Sequence, residues 1–232
     1  MQAKTSEYRT VNPPEQKVSS SWGHLLERTD IKESKIKLTT PVPDTFPELY
    51  LVSDVFSASE CKALIAASEE VGYGYTNYPK HYRGNLRLIT TDNTMTEVMY
   101  ERLKDLVPQT VECEGCTWDI IGLNNCWRLA KYFPHDRFQR HCDAAYVHSS
   151  SERSMFTVNI YMNGNFEGGK TRFYGGKNKQ TILYEAIPET GQCVIFRQPP
   201  GAAYSHDGEE LRSNVKYLFR TDIMYRKREI SS

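Results

Sequence analysis

From Trp118 onward the chain is a succession of short alternating runs, at about 118–123, 126–133, 138–142, 155–162, 170–174, 181–187, 192–197, 202–206 and 215–225. Turn residues separate them at intervals of roughly ten, the pattern of a β-sandwich or barrel of the jelly-roll kind. Helical signals come earlier. Ser57-Ala58-Ser59-Glu60 is a capping box ahead of Cys61, Leu64, Ile65 and Val71, with Gly72 as a stop, and it predicts a helix over 58–71. Thr94 with Glu97 predicts a second helix over about 95–106, burying Val98, Leu103 and Leu106. Helices first and strands after imply one α+β domain over residues 34–232, in which N-terminal helices buttress one sheet of a C-terminal jelly roll. Ile36 and Leu38, then Leu49-Tyr50-Leu51-Val52, add two short strand candidates. Residues 1–33 are polar and aperiodic, a tail or loosely docked arm, with Trp22 and Leu25-Leu26 available to pack on the domain.

Charge narrows the class. Lys and Arg number 29 against 29 Asp and Glu, a balance that argues against a protein built to grip nucleic acid. No apolar run reaches the ~18 residues of a membrane span and no basic-then-apolar leader opens the chain. The expectation is a soluble, cytoplasmic protein with no membrane partner. Six scattered cysteines fit that compartment, and Cys113-Glu114-Gly115-Cys116 lacks the second ligand pair of a zinc site. Nothing in the pattern sets an oligomeric state.

The chemistry is carried by His141-Cys142-Asp143. On a strand, residues two apart share a face, so an imidazole and a carboxylate can reach one metal ion together. A third ligand would complete the 2-His-1-carboxylate triad that suits non-haem Fe(II). An H-x-D recurs by chance, and the downstream residues decide its meaning. His206 follows the strand Cys193-Val194-Ile195-Phe196 and the turn Pro199-Pro200-Gly201. In a jelly roll its late strand lies beside the strand of His141, which makes it the natural third ligand. On the last strand Lys216 and Arg220 share one face, and Tyr217, Phe219 and Ile223 the other. At an edge such cations are solvated, but inside a barrel they need an anion, and a dicarboxylate cosubstrate would supply it. Arg128, Ala130 and Tyr132 share a face just before the metal motif. Gly168-Gly169 permits a sharp turn into Lys170-Thr171-Arg172-Phe173.

Taken in order, Tyr132, His141-Cys142-Asp143, Asn159-Ile160-Tyr161-Met162-Asn163, Gly168-Gly169-Lys170-Thr171-Arg172-Phe173, Gly191 before Val194-Ile195-Phe196, His206 and Lys216-Tyr217 form a series. Over roughly residues 49–226 that series resembles the prolyl-4-hydroxylase-like branch of the Fe(II)/2-oxoglutarate dioxygenases. The resemblance implies a double-stranded β-helix in which His141, Asp143 and His206 hold Fe(II). It implies 2-oxoglutarate and O2 as cosubstrates, with ascorbate as an auxiliary reductant. The distal carboxylate of 2-oxoglutarate falls to Lys216, assisted by Tyr132 and Tyr161. Arg220 lies either near the chelated end or the substrate, or outward in a salt bridge. The implied activity couples decarboxylation of 2-oxoglutarate to succinate and CO2 with hydroxylation or related C–H oxidation, centred on iron with no separate acid or base.

Substrate contacts are sought in the aromatic, basic segment at 72–85, which offers Tyr75 and Arg83, with Arg87 just beyond it and Arg128 on the barrel wall. The segment reads equally as a surface loop. As a lid it would border the pocket mouth and order over the iron when substrate binds. With no separate peptide-binding domain in the sequence, a small-molecule or amino-acid-like substrate is expected. A prolyl or other peptidyl hydroxylase is the alternative, and a catalytically silent jelly-roll module that binds a metal or other ligand is the rival of a different class. Nucleic-acid demethylation is disfavoured by the balanced charge.

Overall fold

The computed structural model describes residues 12–27, 36–176 and 180–229. In the N-terminal half the strands are β1 (Gln16–Ser19), β2 (Lys37–Thr39), β3 (Leu49–Ser53), β4 (Gly74–Tyr75), β5 (Leu86–Thr91), β6 (Thr110–Cys113) and β7 (Cys116–Leu123), with helices α1 (Ala58–Val71) and α2 (Asn93–Leu103). There follow β8 (Cys126–Tyr132), β9 (Phe138–His141), β10 (Glu152–Tyr161), β11 (Glu167–Gly168), β12 (Thr171–Gly175), β13 (Thr181–Ala186), β14 (Cys193–Arg197), β15 (His206–Gly208), β16 (Leu211–Ser213) and β17 (Lys216–Lys227). A large sheet runs β1-β5-β8-β17-β10-β14-β3-β2, extended by β4, β6 and β7; a small sheet runs β13-β12-β15-β9; β11 and β16 form a ribbon.

Strand alternation gives the large sheet two faces. Trp127, Leu129, Val158, Ile160 and Phe219 turn outward and pack with Leu64 of α1 and Met95, Met99 and Leu103 of α2. Between the sheets Tyr161, Val194 and Phe196 meet Phe173 and Ala186 of the small sheet. This is the double-stranded β-helix with buttressing helices, and the polar residues that alternate with the outward core fall inside it. No described helix is long and apolar enough to cross a membrane.

The first helix follows its capping box. Ser57 Oγ accepts the Glu60 N–H at 3.2 Å, Glu60 Oε2 accepts the Ser57 N–H at 2.7 Å, and Gly72 ends the helix at φ 93°. The second helix is shifted from its expected position. It begins at Asn93 and ends at Leu103, because Asp92, not Thr94, is the cap. The Asp92 carboxylate accepts from Met95 N at 2.9 Å, Thr94 Oγ1 at 2.8 Å, Trp22 N at 2.7 Å and Ser20 Oγ at 2.6 Å. Burial alone would raise its pKa, but these donors outweigh it and hold the carboxyl below the usual range. Asp92→Ala should cost about 2–4 kcal/mol, the sum of a lost N-cap and stranded buried donors, read as a lower denaturant midpoint at unchanged m.

Asp92 also fastens the N-terminal arm. Of that arm, residues 1–11 and 28–33 lie outside the described residues. The rest docks: β1 pairs parallel with β5, from Gln16 opposite Leu88 to Ser19 opposite Thr91, and Trp22 and Leu26 enter the core. Cys113 and Cys116 close the β6–β7 hairpin, with Glu114 at φ 53° and Gly115 at φ 71°, and both thiols are free. The expected strand at 202–206 is an arch that becomes β15 only at His206. The reason is packing: Tyr204 turns into the inter-sheet core, its ring centroid 4.9 Å from that of Phe46.

Candidate active site

β9 and β15 are neighbours in the small sheet, and His141 stands directly opposite His206. β9 ends at His141; two residues on, Asp143 is buried while Cys142 between them is exposed. His141 Nε2 lies 3.5 Å from Asp143 Oδ1, and His206 Nε2 lies 3.8 Å from Asp143 Oδ2. The nearest donor atoms of the three residues all fall within 4.8 Å of one another, so together they could hold a metal ion.

The imidazoles are oriented for that role. Nδ1 of His141 faces Gln139 O at 2.8 Å and Nδ1 of His206 faces Tyr204 O at 2.9 Å, so each Nδ1 is the protonated nitrogen and each Nε2 keeps its lone pair. Phe138 stacks on His141 at 3.8 Å between centroids, and Phe196 meets His206 edge-on at 4.7 Å. Burial pushes the His206 pKa down to about 4, with Asp143 opposing, and the ring is neutral at neutral pH. Burial would raise Asp143, but Arg220 and the two imidazoles outweigh it and keep the carboxyl well below the usual carboxylate range. Two imidazole nitrogens and one carboxylate are the donor set that suits Fe(II).

Lys216 opens β17 opposite Tyr132 and is 3% exposed. Its Nζ donates to Gly169 O and lies 5.5 Å from the Tyr132 ring centroid and 5.3 Å from that of Tyr161. The glycine pair makes room for it: Gly169 sits at φ 67°, and a Cβ there would come within 3.2 Å of Lys216 Cδ. Burial pushes the Lys216 pKa down to about 7, with Glu209 partly opposing. Arg220 points inward, its NH1 3.4 Å from Asp143 Oδ1 and its NH2 3.2 Å from Asp222 Oδ1.

The triad, Lys216, Tyr132 and Arg220 line one cavity, whose remaining wall carries Arg83, Arg87 and Arg128. Tyr161 stands behind the wall, fully buried, its hydroxyl donating to Thr171 Oγ1 at 2.7 Å. Tyr75 is not on the cavity; it pairs with Leu86 at the sheet margin. The segment at 72–85 runs beside β9, with Gln139 N donating to Tyr82 O at 2.8 Å and Gly84 N to Arg137 O at 2.9 Å.

A sequence model of the 2OG-Fe(II) oxygenase superfamily matches residues 127–221, the stretch from β8 to β17 that contains the triad and Lys216. The chain carries the domain of that superfamily across residues 127–221. It is an Fe(II)- and 2-oxoglutarate-dependent dioxygenase, an enzyme that uses Fe(II), 2-oxoglutarate and O2. No curated protein matches the oxygenase in sequence. Solved structures share its fold at low identity. A prolyl hydroxylase of Trichoplax adhaerens, in complex with a hypoxia inducible factor peptide fragment, aligns at TM-score 0.59 and 13% identity, over 78% of this chain and 85% of that one. A Pseudomonas putida prolyl-4-hydroxylase aligns at 0.55 and 14%, over 81% and 96%. The viral collagen prolyl hydroxylase of Paramecium bursaria chlorella virus-1, as its 2OG complex, aligns at 0.53 and 15%, over 77% and 96%.

The oxygenase also has polar residues at the site that its sequence did not single out. Thr157 Oγ1 donates to Asp143 Oδ2 at 2.8 Å and accepts from Gln198 Nε2 at 2.8 Å; Gln198 Nε2 also reaches Asp222 Oδ1 at 2.9 Å. Ser154 Oγ completes the chain on Gln198 Oε1 at 2.7 Å. The available signal was alternation along β10, which turns Thr157, Asn159 and Tyr161 inward. Thr157→Val should weaken Fe(II) binding by about 10-fold while Thr157→Ser retains it, as read by anaerobic metal titration.

Proposed function

We propose that His141, Asp143 and His206 hold the Fe(II), that Lys216 with Tyr132 receives the distal carboxylate of 2-oxoglutarate, and that the oxygenase hydroxylates a small, amino-acid-like substrate. The observation that carries the reading is the convergence of two Nε2 lone pairs and one carboxylate in a cavity that also buries the Lys216 side chain. A buried ammonium calls for an anion, and a 2-oxo dicarboxylate offers one carboxylate to that ammonium and its 2-oxo acid end to a metal held on the same cavity. Iron with 2-oxoglutarate and O2 supplies the oxidising chemistry and leaves succinate and CO2. The chain's own residues orient the ligands, exclude water with Phe138, Phe173 and Phe196, and position one C–H bond. Tyr161, behind the wall, fixes the strand that carries Thr171. Arg220 serves Asp143 in place of the cosubstrate. Retention of a complete donor set beside Lys216 speaks against a silent binding module.

Substrate size follows from the mouth of the cavity. β9 is the margin of the small sheet, and the 72–85 segment covers it through backbone hydrogen bonds and the Arg83–Phe138 bridge. A peptide that adds to that margin as a strand beside residues 137–139 would have to displace those bonds. The second reading, a prolyl or other peptidyl hydroxylase, draws on the likeness in fold to prolyl hydroxylases, one of them solved with a peptide. The test is succinate formed per 2-oxoglutarate consumed by the Fe(II)-loaded protein, across free amino acids and short peptides. Stimulation by free amino acids, with a product heavier by one oxygen atom, is expected. Stimulation by peptides alone would install the second reading.

A further inference from the structure

The cavity carries more positive charge than a metal site and one cosubstrate employ. Each cation on its wall but one has an assigned partner. Arg87 is held by Glu15 of the N-terminal arm, with NH2 2.7 Å from Oε1 and Nε on Oε2. Arg128 is held by Asp222 at 3.1 Å, and Arg220 by Asp143 and Asp222. Lys216 belongs to the 2-oxoglutarate subsite proposed above. Arg83 is different. Its Nε donates to Asn85 Oδ1 at 3.0 Å, and its guanidinium carbon lies over the Phe138 ring, 4.5 Å from the centroid, and over that of Tyr78 at 5.6 Å. Among the described residues no carboxylate comes within ion-pair distance of it. Its charge is nonetheless costly where it stands: burial lowers its pKa, Tyr132 opposes, and Arg87 and Arg220 add to the lowering. Phe138, which supports Arg83 on one side, also stacks on His141 at 3.8 Å, so the guanidinium is one aromatic ring away from the metal ligands.

We propose that Arg83 is the receptor for a carboxylate of the oxidised substrate, which is therefore a small monocarboxylic acid of amino-acid size. This rests on the reading that His141, Asp143 and His206 hold the iron. A planar guanidinium held at Nε and braced by aromatic rings leaves its terminal nitrogens to bind a carboxylate in two-point fashion, which a lysine could not reproduce. Glu15 matters to the count. By occupying Arg87 it leaves one anion subsite at this mouth in place of two.

The experiment measures binding apart from turnover. Protein loaded with Mn(II) and 2-oxoglutarate under anaerobic conditions is titrated calorimetrically with free L-amino acids and with their C-terminal amides. The expected result is that one or more acids bind and that their amides bind about 10- to 100-fold more weakly, the loss of a charge-assisted pair. Arg83→Gln should bring the acid to the level of the amide, and Arg83→Lys should recover part of the difference. Melting curves of both variants certify the fold. Amides binding as well as acids, no acid binding at all, or Arg83→Gln keeping the preference would each overturn the proposal. Succinate release by wild-type protein loaded instead with Fe(II) and exposed to O2 reports separately on the iron-site reading, so acid binding without succinate would count against that reading alone.

Discussion

Asp143→Ala yields a folded protein that no longer retains Fe(II) at micromolar concentration and makes no succinate. The carboxylate is the only anionic member of the donor set, and it is held in place from three sides, by Arg220 NH1 at 3.4 Å, Thr157 Oγ1 at 2.8 Å and the two imidazoles. Loss of a residue that merely orients a ligand costs about 10- to 100-fold in metal affinity, and loss of the ligand itself exceeds that range. The variant also strands positive charge, since Arg220 keeps only Asp222 at 3.2 Å. Fold stability in the absence of metal should therefore not improve, although a buried carboxylate has been removed. Calorimetric titration with Fe(II) or Mn(II), run beside His206→Ala, checks the expectation. Retention of one tightly bound ion by both variants would move the metal elsewhere.

Lys216→Ala raises the 2-oxoglutarate requirement by at least about 30-fold and leaves Mn(II) affinity within a few-fold of wild type. Truncating one partner of a buried charged pair costs about 2–5 kcal/mol, which sets that lower bound. The pH dependence has a definite sign. Burial pushes the Lys216 pKa from 10.5 down to about 7, so above pH 7 the neutral amine must take up a proton to meet the carboxylate as an ammonium. Apparent affinity for 2-oxoglutarate falls as pH rises above about 7, by up to tenfold per pH unit. For the free protein the same shift works in the opposite sense. The folded pKa is depressed below the unfolded 10.5, so stability from this group is fully present above pH 10.5 and is lost as pH falls toward 7. Lys216→Ala abolishes both slopes. A flat affinity profile in wild type from pH 7 to 9 would assign the distal carboxylate to an arginine.

Much of this site was legible because strands convert sequence into geometry by simple alternation. Lys216 and Arg220, four apart on β17, face inward as a period of two requires, and Asp143 keeps to the side of His141 two residues beyond the end of β9. The register of His141 opposite His206 followed from the jelly-roll layout, not from either residue alone. What stayed hidden depends on distant partners. Thr157 sits in a run of β-prone residues and reads as strand filler until Gln198 and Asp222, 41 and 65 residues later in the chain, are brought beside it. Gln16–Ser19 has no strand pattern of its own and becomes β1 because β5 offers it a paired edge. The same docking delivers Glu15 to Arg87, so a residue from the polar arm tunes the charge of the cavity, while Tyr75 is taken up by backbone pairing next to it. A capping-box pattern points to Thr94 and not to Asp92 because it carries no information about the Trp22 and Ser20 donors that the Asp92 carboxylate also serves.

The metal and cosubstrate sites are tested together by a crystal structure of the protein with Mn(II) and 2-oxoglutarate prepared without oxygen. One ion is expected, bound by His141 Nε2, Asp143 and His206 Nε2 at roughly 2.0–2.2 Å, with the far carboxylate of 2-oxoglutarate against Lys216 Nζ. An ion held by any other residues, or a distal carboxylate resting on Arg83 or Arg220 with Lys216 still turned to Gly169, would contradict it.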